Sequence, residues 1–135
     1  MFGIIFISDL KYCPYLDKYL KVLNNSQAKY DVIYWDRENR GAYYSSNYIA
    51  FKKKSNLNKH KLFKFIDFIQ FAKWLSNLIE ERKYSKLIVL STLPGIFIVN
   101  TLLKKYQNRY IFDIRDYSYE GIKPFYILEK KIIDN

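Results

Sequence analysis

At 135 residues the chain has room for one domain with a real core. Half of it is hydrophobic and 19% aromatic, which excludes a disordered chain, and no run approaches the ~18 apolar residues of a membrane span. A lone Cys13 excludes an intrachain disulfide and points to a reducing, cytosolic compartment, while a net charge of +10 points to anionic partners: nucleic acid, anionic lipid or phosphorylated substrates.

The first seven residues meet Asp9 too soon, and carry too little basic charge, for a signal peptide. Phe2 to Ile7 instead reads as a strand covered on both faces. Ser8 to Cys13 is a loop, and Pro14 suits the first turn of a helix carrying Tyr15, Leu16, Tyr19, Leu20 and Leu23. Asp31 to Trp35 is a second strand that runs out into Asp36 and Arg37. Tyr48 to Phe51 is a third, followed by the most basic stretch of the chain, from Lys52 to Lys61. A long helix is expected from about Leu62 to Arg82. Its core stripe is Phe65, Phe68, Ile69, Ala72, Leu75, Leu78 and Ile79, with Phe63, Ile66, Phe71 and Trp74 widening the apolar face. Leu87 to Leu90 is a fourth strand, and Ser91 to Gly95 a turn. Ile96 to Tyr106 is a helix with Lys104 and Lys105 at its negative end. Tyr110 to Phe112 is a fifth strand and Pro124 to Ile133 a last helix. This alternation predicts an α/β domain: a parallel, Rossmann-like sheet with right-handed crossovers and helices on both faces.

Several chemistries find no support in the residues. Four scattered glycines supply neither a dinucleotide fingerprint nor a P-loop. One His and one Cys build no zinc site, and His60 sits among lysines that repel a cation, so no metal and no cofactor are expected. The basic residues are mostly Lys, which favours diffuse attraction over bidentate base reading, and no specific nucleic acid is expected as a partner. An AT-rich coding sequence would also raise Lys, Ile, Asn, Tyr and Phe together.

Other stretches do suggest a role. Lys52, Lys53, Lys54, Lys59 and Lys61 precede Leu62, Phe63 and Phe65, and lysines mixed with exposed aromatics suit an anionic membrane surface; a solvated loop before an ordinary core helix is the competing reading. Tyr12, Tyr43, Tyr44 and Tyr48 offer ring faces near loops. Asp36 suits either a ribose hydroxyl or a surface ion pair with Arg37. Ser91 and Thr92 close the fourth strand, where a helix start takes a phosphate or sugar hydroxyl, or is merely capped. Asp113, Arg115, Asp116 and Glu120 gather within eight residues where the fifth strand surfaces, at the end of a parallel sheet that faces the ligand crevice.

The run Tyr110-Ile111-Phe112-Asp113-Ile114-Arg115-Asp116-Tyr117-Ser118-Tyr119-Glu120 resembles the loop after a central strand in the amino-terminal half of GT-B glycosyltransferases. The likeness is to the retaining family 4 type, which includes capsule and exopolysaccharide enzymes. Asp31 to Tyr34, the long helix before Leu87, and Ser91 to Pro94 extend it along the chain. The resemblance implies an acceptor-side Rossmann-like domain binding a sugar or lipid-linked acceptor, with sugar nucleotide bound only together with a second domain. Arg115, Asp116, Tyr117 and Glu120 would line the acceptor side, joined by Asp9, Tyr12, Ser91 and Thr92 from the other carboxyl-end loops. It also implies a cytoplasmic protein, peripheral at the inner face of the membrane. The first loop lacks the family's glycines, so no diphosphate contact is expected from it. The donor-binding domain is absent from residues 1–135, so the chain is expected to be inactive alone, with no catalytic residue assigned. The alternative is a non-catalytic, flavodoxin-like interaction module for an anionic partner.

Overall fold

The computed structural model describes residues 1–38, 41, 45–55, 60–114 and 122–135, with the Lys61 side chain left out. Five strands, β1 (Phe2–Phe6), β2 (Tyr30–Asp36), β3 (Tyr48–Lys52), β4 (Lys86–Leu90) and β5 (Tyr110–Asp113), form one sheet in the order β3-β2-β1-β4-β5. Every pairing is parallel, as between Ile5 and both Ile33 and Val89. The expected α/β, Rossmann-like architecture is what the chain adopts.

Side chains alternate across the strands, and this alternation builds two cores. Ile4, Phe6, Val32, Tyr34, Ile88 and Leu90 face helix α1 (Leu16–Asn25) through Leu16 and Leu23. Ile5, Ile33, Trp35, Leu87 and Val89 face the other way. They meet Phe71, Leu75 and Ile79 of α2 (Lys61–Arg82), Leu102 of α4 (Val99–Lys105) and Ile132 of α5 (Lys123–Ile133). Burial on both faces explains the apolar runs of β1, of residues 32–35 in β2 and of residues 87–90 in β4.

Three expectations need correction. Pro14 does not start a helix: a short 3-10 turn at Leu10–Tyr12 comes first, and α1 begins at Leu16. The Ser91–Gly95 turn is largely helical. It forms α3 (Thr92–Phe97), which breaks at Ile98 before α4. Pro94 is tolerated in that first turn because no intrahelical bond is asked of its nitrogen. Gly95 is demanded by packing, since a Cβ there would lie 2.5 Å from the Phe112 ring. The core stripe of α2 is also rotated from the expected one. Phe71 and Leu75 are fully buried, whereas Phe65 and Ile69 are about half exposed, at 57% and 48%.

That rotation has a cause at the start of α2. Asp67 is buried, accepting from the Ser55 hydroxyl at 2.8 Å and pairing with Lys53 at 2.6 Å. A buried carboxylate satisfied in this way holds the helix to the end of β3. It turns Leu62, Phe63, Phe65, Ile66 and Ile69 outward.

At the opposite end of the sheet, the Tyr84 hydroxyl donates to buried Asp31 at 2.7 Å, with Arg82 4.0 Å from the same oxygen. Burial, then the Asp31 hydrogen bond, hold the Tyr84 phenol well above the usual tyrosine range.

Candidate functional site

The strand order places a topological switch between β1 and β4. From β1 the chain winds outward to β2 and β3, then crosses back to β4 and β5. The connections leave in opposite directions at this point, and in open parallel sheets ligands bind there, so the candidate crevice lies outside the carboxyl ends of β1 and β4. Its walls are the segment after Phe6 and the segment after Leu90.

The β1 wall is held by short local contacts. Asp9 is buried and accepts from the Lys11 amide at 3.1 Å, capping the 3-10 turn. Lys11 reaches Glu38 beyond β2 at 2.7 Å and lies 4.8 Å from the centre of the exposed Tyr12 ring. Arg37 donates to the Ile7 carbonyl at 3.1 Å while its guanidinium lies over Trp35 at 4.4 Å. Arg37 therefore anchors the end of β1 through stacking and a backbone bond. Asp36 is buried, not on the surface, and accepts from the Gly41 amide at 3.0 Å.

The β4 wall carries backbone strain. Ser91 has φ 79° and ψ 161°, a region that glycine favours. Its amide donates to the Asp113 carbonyl at 2.9 Å, tying the end of β4 to the end of β5. Thr92 is buried, and its hydroxyl donates to the buried Glu129 carboxylate of α5 at 2.7 Å. Neither Ser91 nor Thr92 is a plain side-chain cap, because Ser91 makes no capping bond and the Thr92 hydroxyl is directed to Glu129. On the α1 side the Tyr19 hydroxyl donates to Asp113 at 2.7 Å.

Thus the fold brings Asp9, Ser91, Thr92 and Asp113 to one end of the sheet, with Tyr12 on its rim. Arg115, Asp116, Tyr117 and Glu120 lie outside the described residues, as do Tyr43, Tyr44 and Lys59. Lys52 and Lys54 are exposed, and Lys53 is committed to Asp67. Among the described residues no three carboxylate, His or Cys groups gather as a metal site, and no helix is long and apolar enough to cross a membrane.

No family model, curated protein or solved structure matches this chain. Its site must therefore be read from its own residues.

Glu129 and Tyr19 are participants that the linear reading passed over. Glu129 had a visible signal. It shares one face of α5 with Phe125, Leu128 and Ile132 at helical spacing, and a carboxylate on an apolar face needs a buried partner. Thr92→Val removes that partner without changing the side chain's shape. It is expected to lower stability by about 1–3 kcal/mol, because the Glu129 carboxylate then stays buried without its donor. Urea unfolding of both proteins measures the difference.

Proposed function

We propose that this chain is the acceptor-side domain of a sugar-nucleotide-dependent glycosyltransferase of polysaccharide biosynthesis, working in the cytoplasm at the inner face of the membrane. The observation that carries the reading is that the switch point between β1 and β4 and an exposed apolar face share one end of the sheet. The α2 helix starts just after the carboxyl end of β3 and runs down toward the amino end of β4. Its first turns, bearing Leu62, Phe65, Ile66 and Ile69, therefore stand at the same level as Asp9 and Thr92. A helix with apolar residues along one exposed stripe and lysines beside it suits the headgroup region of an anionic bilayer. Lys52 and Lys54 are exposed at the end of β3, and Lys73 continues the stripe. An acceptor sugar carried on a lipid would then reach the crevice without leaving the membrane surface.

In this reading Asp9 and Ser91 offer oxygens to acceptor hydroxyls. The segment containing Arg115 and Asp116 supplies the remaining contacts, as its resemblance to family 4 enzymes implies. A second domain brings the sugar nucleotide, so transfer needs both substrates held together.

The test is binding of a polyprenyl-linked sugar in anionic vesicles, followed by amide spectra of the labelled chain. Shifts at Asp9, Ser91 and Thr92 that saturate with the sugar-bearing lipid, and not with the bare lipid, are the expected result. Asp9→Asn and Arg115→Ala should each weaken the sugar-dependent shift about tenfold or more. Shifts that follow the bare lipid alone would leave an interaction module for anionic surfaces and end the sugar reading.

A further inference from the structure

At the amino end of the sheet, away from the crevice, a cavity of about 410 Å3 opens between the ends of α2 and α4. That volume falls at the lower end of small-ligand pockets. It is lined by Glu80, Lys83, Tyr84, Lys105, Tyr106 and Arg109. Three cations thus face one acid, and Glu80 is paired with Lys105.

Cations at helix ends have a simple role, since each carboxyl terminus carries about half a negative charge. Two helix ends together offset about one positive charge, and Glu80 offsets a second. About one of the three remains over. The arrangement is also held in place. The Arg109 guanidinium donates to the Lys105 carbonyl and lies 5.2 Å from the centre of the Tyr106 ring. A guanidinium fixed by two contacts loses little freedom when it meets an anion.

Tyr106 supplies the second, independent observation. It is only 5% exposed, yet its hydroxyl makes no hydrogen bond among the described residues. Its oxygen is not sealed within the core either, since it is not among the inaccessible polar atoms that lack partners. By contrast, the neighbouring Tyr84 hydroxyl is fully engaged with Asp31. Burial raises the Tyr106 phenol above the usual range even against the pull of Arg109 and Lys105, so it stays a proton donor at neutral pH.

We propose that this cavity binds a phosphomonoester, its phosphoryl oxygens drawn by Lys83, Lys105 and Arg109 and accepting a hydrogen bond from Tyr106. The ligand offsets the surplus positive charge and gives the Tyr106 hydroxyl a partner. The site stands at the opposite end of the sheet from the crevice and does not rest on the sugar reading. The phosphomonoester belongs either to a free metabolite or to a lipid headgroup.

Amide spectra of the labelled chain test this with two probes at constant ionic strength, with sodium chloride as the blank. One is glycerol 3-phosphate in solution, and the other is phosphatidylcholine vesicles carrying phosphatidic acid. Saturable shifts at Lys83, Tyr84, Tyr106 and Arg109 are expected. Their appearance with glycerol 3-phosphate assigns a free metabolite, and their appearance with the vesicles alone assigns a headgroup. Arg109→Gln should weaken binding about tenfold, as loss of a charge-assisted pair does. Tyr106→Phe keeps the ring packed and should weaken it several-fold. Shifts in neither arm, shifts equalled by sodium chloride, or full affinity in the Tyr106→Phe protein would overturn the proposal.

Discussion

Replacing Phe65 and Ile69 together by Ser should release the chain from anionic vesicles, with about a hundredfold loss of partitioning and a loss of folding stability of only about 2 kcal/mol, which leaves the chain folded. Both side chains are about half exposed, so water already reaches them in the folded protein. Their removal therefore costs the core less than truncating a fully buried residue would. At a membrane the same groups leave water, and each contributes roughly 1–2 kcal/mol when only part of its area is buried. Two such losses multiply to about two orders of magnitude. The electrostatic share has its own signature, because raising salt from about 0.1 M to about 1 M shortens the Debye length from about 10 Å to about 3 Å. Binding of the parent chain should weaken over that range, and Lys52→Ala with Lys54→Ala should flatten the dependence. Vesicle co-sedimentation and urea unfolding, run on the same proteins, separate the two effects. A double variant that still co-sediments fully would remove the membrane from the proposed function. A monomer-dimer shift in the ultracentrifuge that the same substitutions abolish would instead assign the face to a second copy of the chain.

The parts of the fold that could be read from the chain are those where one local signal agrees with the tertiary outcome. Strand β1, residues 32–35 of β2 and residues 87–90 of β4 are apolar runs because both faces are buried, and their shortness and β-branched residues favour strand over helix. The α3 helix was hidden because Pro94 and Gly95 read as a turn. Their presence in a helix depends on a first-turn nitrogen that needs no partner and on the nearby Phe112 ring. The facing of α2 was hidden for a related reason. Its apolar residues form two overlapping stripes, and the choice between them is made by Asp67 with Ser55 and Lys53, partners 12 and 14 residues away. At the candidate site, Asp9, Ser91 and Thr92 were legible because they follow strands whose ends face the crevice. The strain at Ser91, the Thr92–Glu129 bond and the Tyr19–Asp113 bond were not, since each depends on contacts that only the folded chain provides.

The helix that offers Phe65 outward turns Phe71 inward, and Phe71→Ala should be among the most damaging single truncations in the chain. Phe71 is fully buried. Its ring stacks on Trp35 at 5.5 Å, with Phe51 at 5.6 Å and Trp74 at 5.8 Å. Truncating a buried Phe leaves a cavity that its neighbours fill only in part and costs about 3–5 kcal/mol. Domains of this kind are stable by about 5–15 kcal/mol, so most of the margin could go. The damage should also reach the crevice. Trp35 loses its stacking partner on one side, and it is Trp35 that supports the Arg37 guanidinium bonded to the Ile7 carbonyl. The amides around Ile7 and Asp9 should therefore exchange faster in Phe71→Ala than in the parent, under conditions where both are still folded. Phe71→Leu, which keeps most of the volume, should recover part of the stability. If Phe71→Ala unfolded at the parent's urea midpoint, α2 would not be packed on the sheet through this residue. The inward assignment of Phe71 and the outward assignment of Phe65 would then have to be exchanged, and with them the basis for placing Phe65 at a membrane.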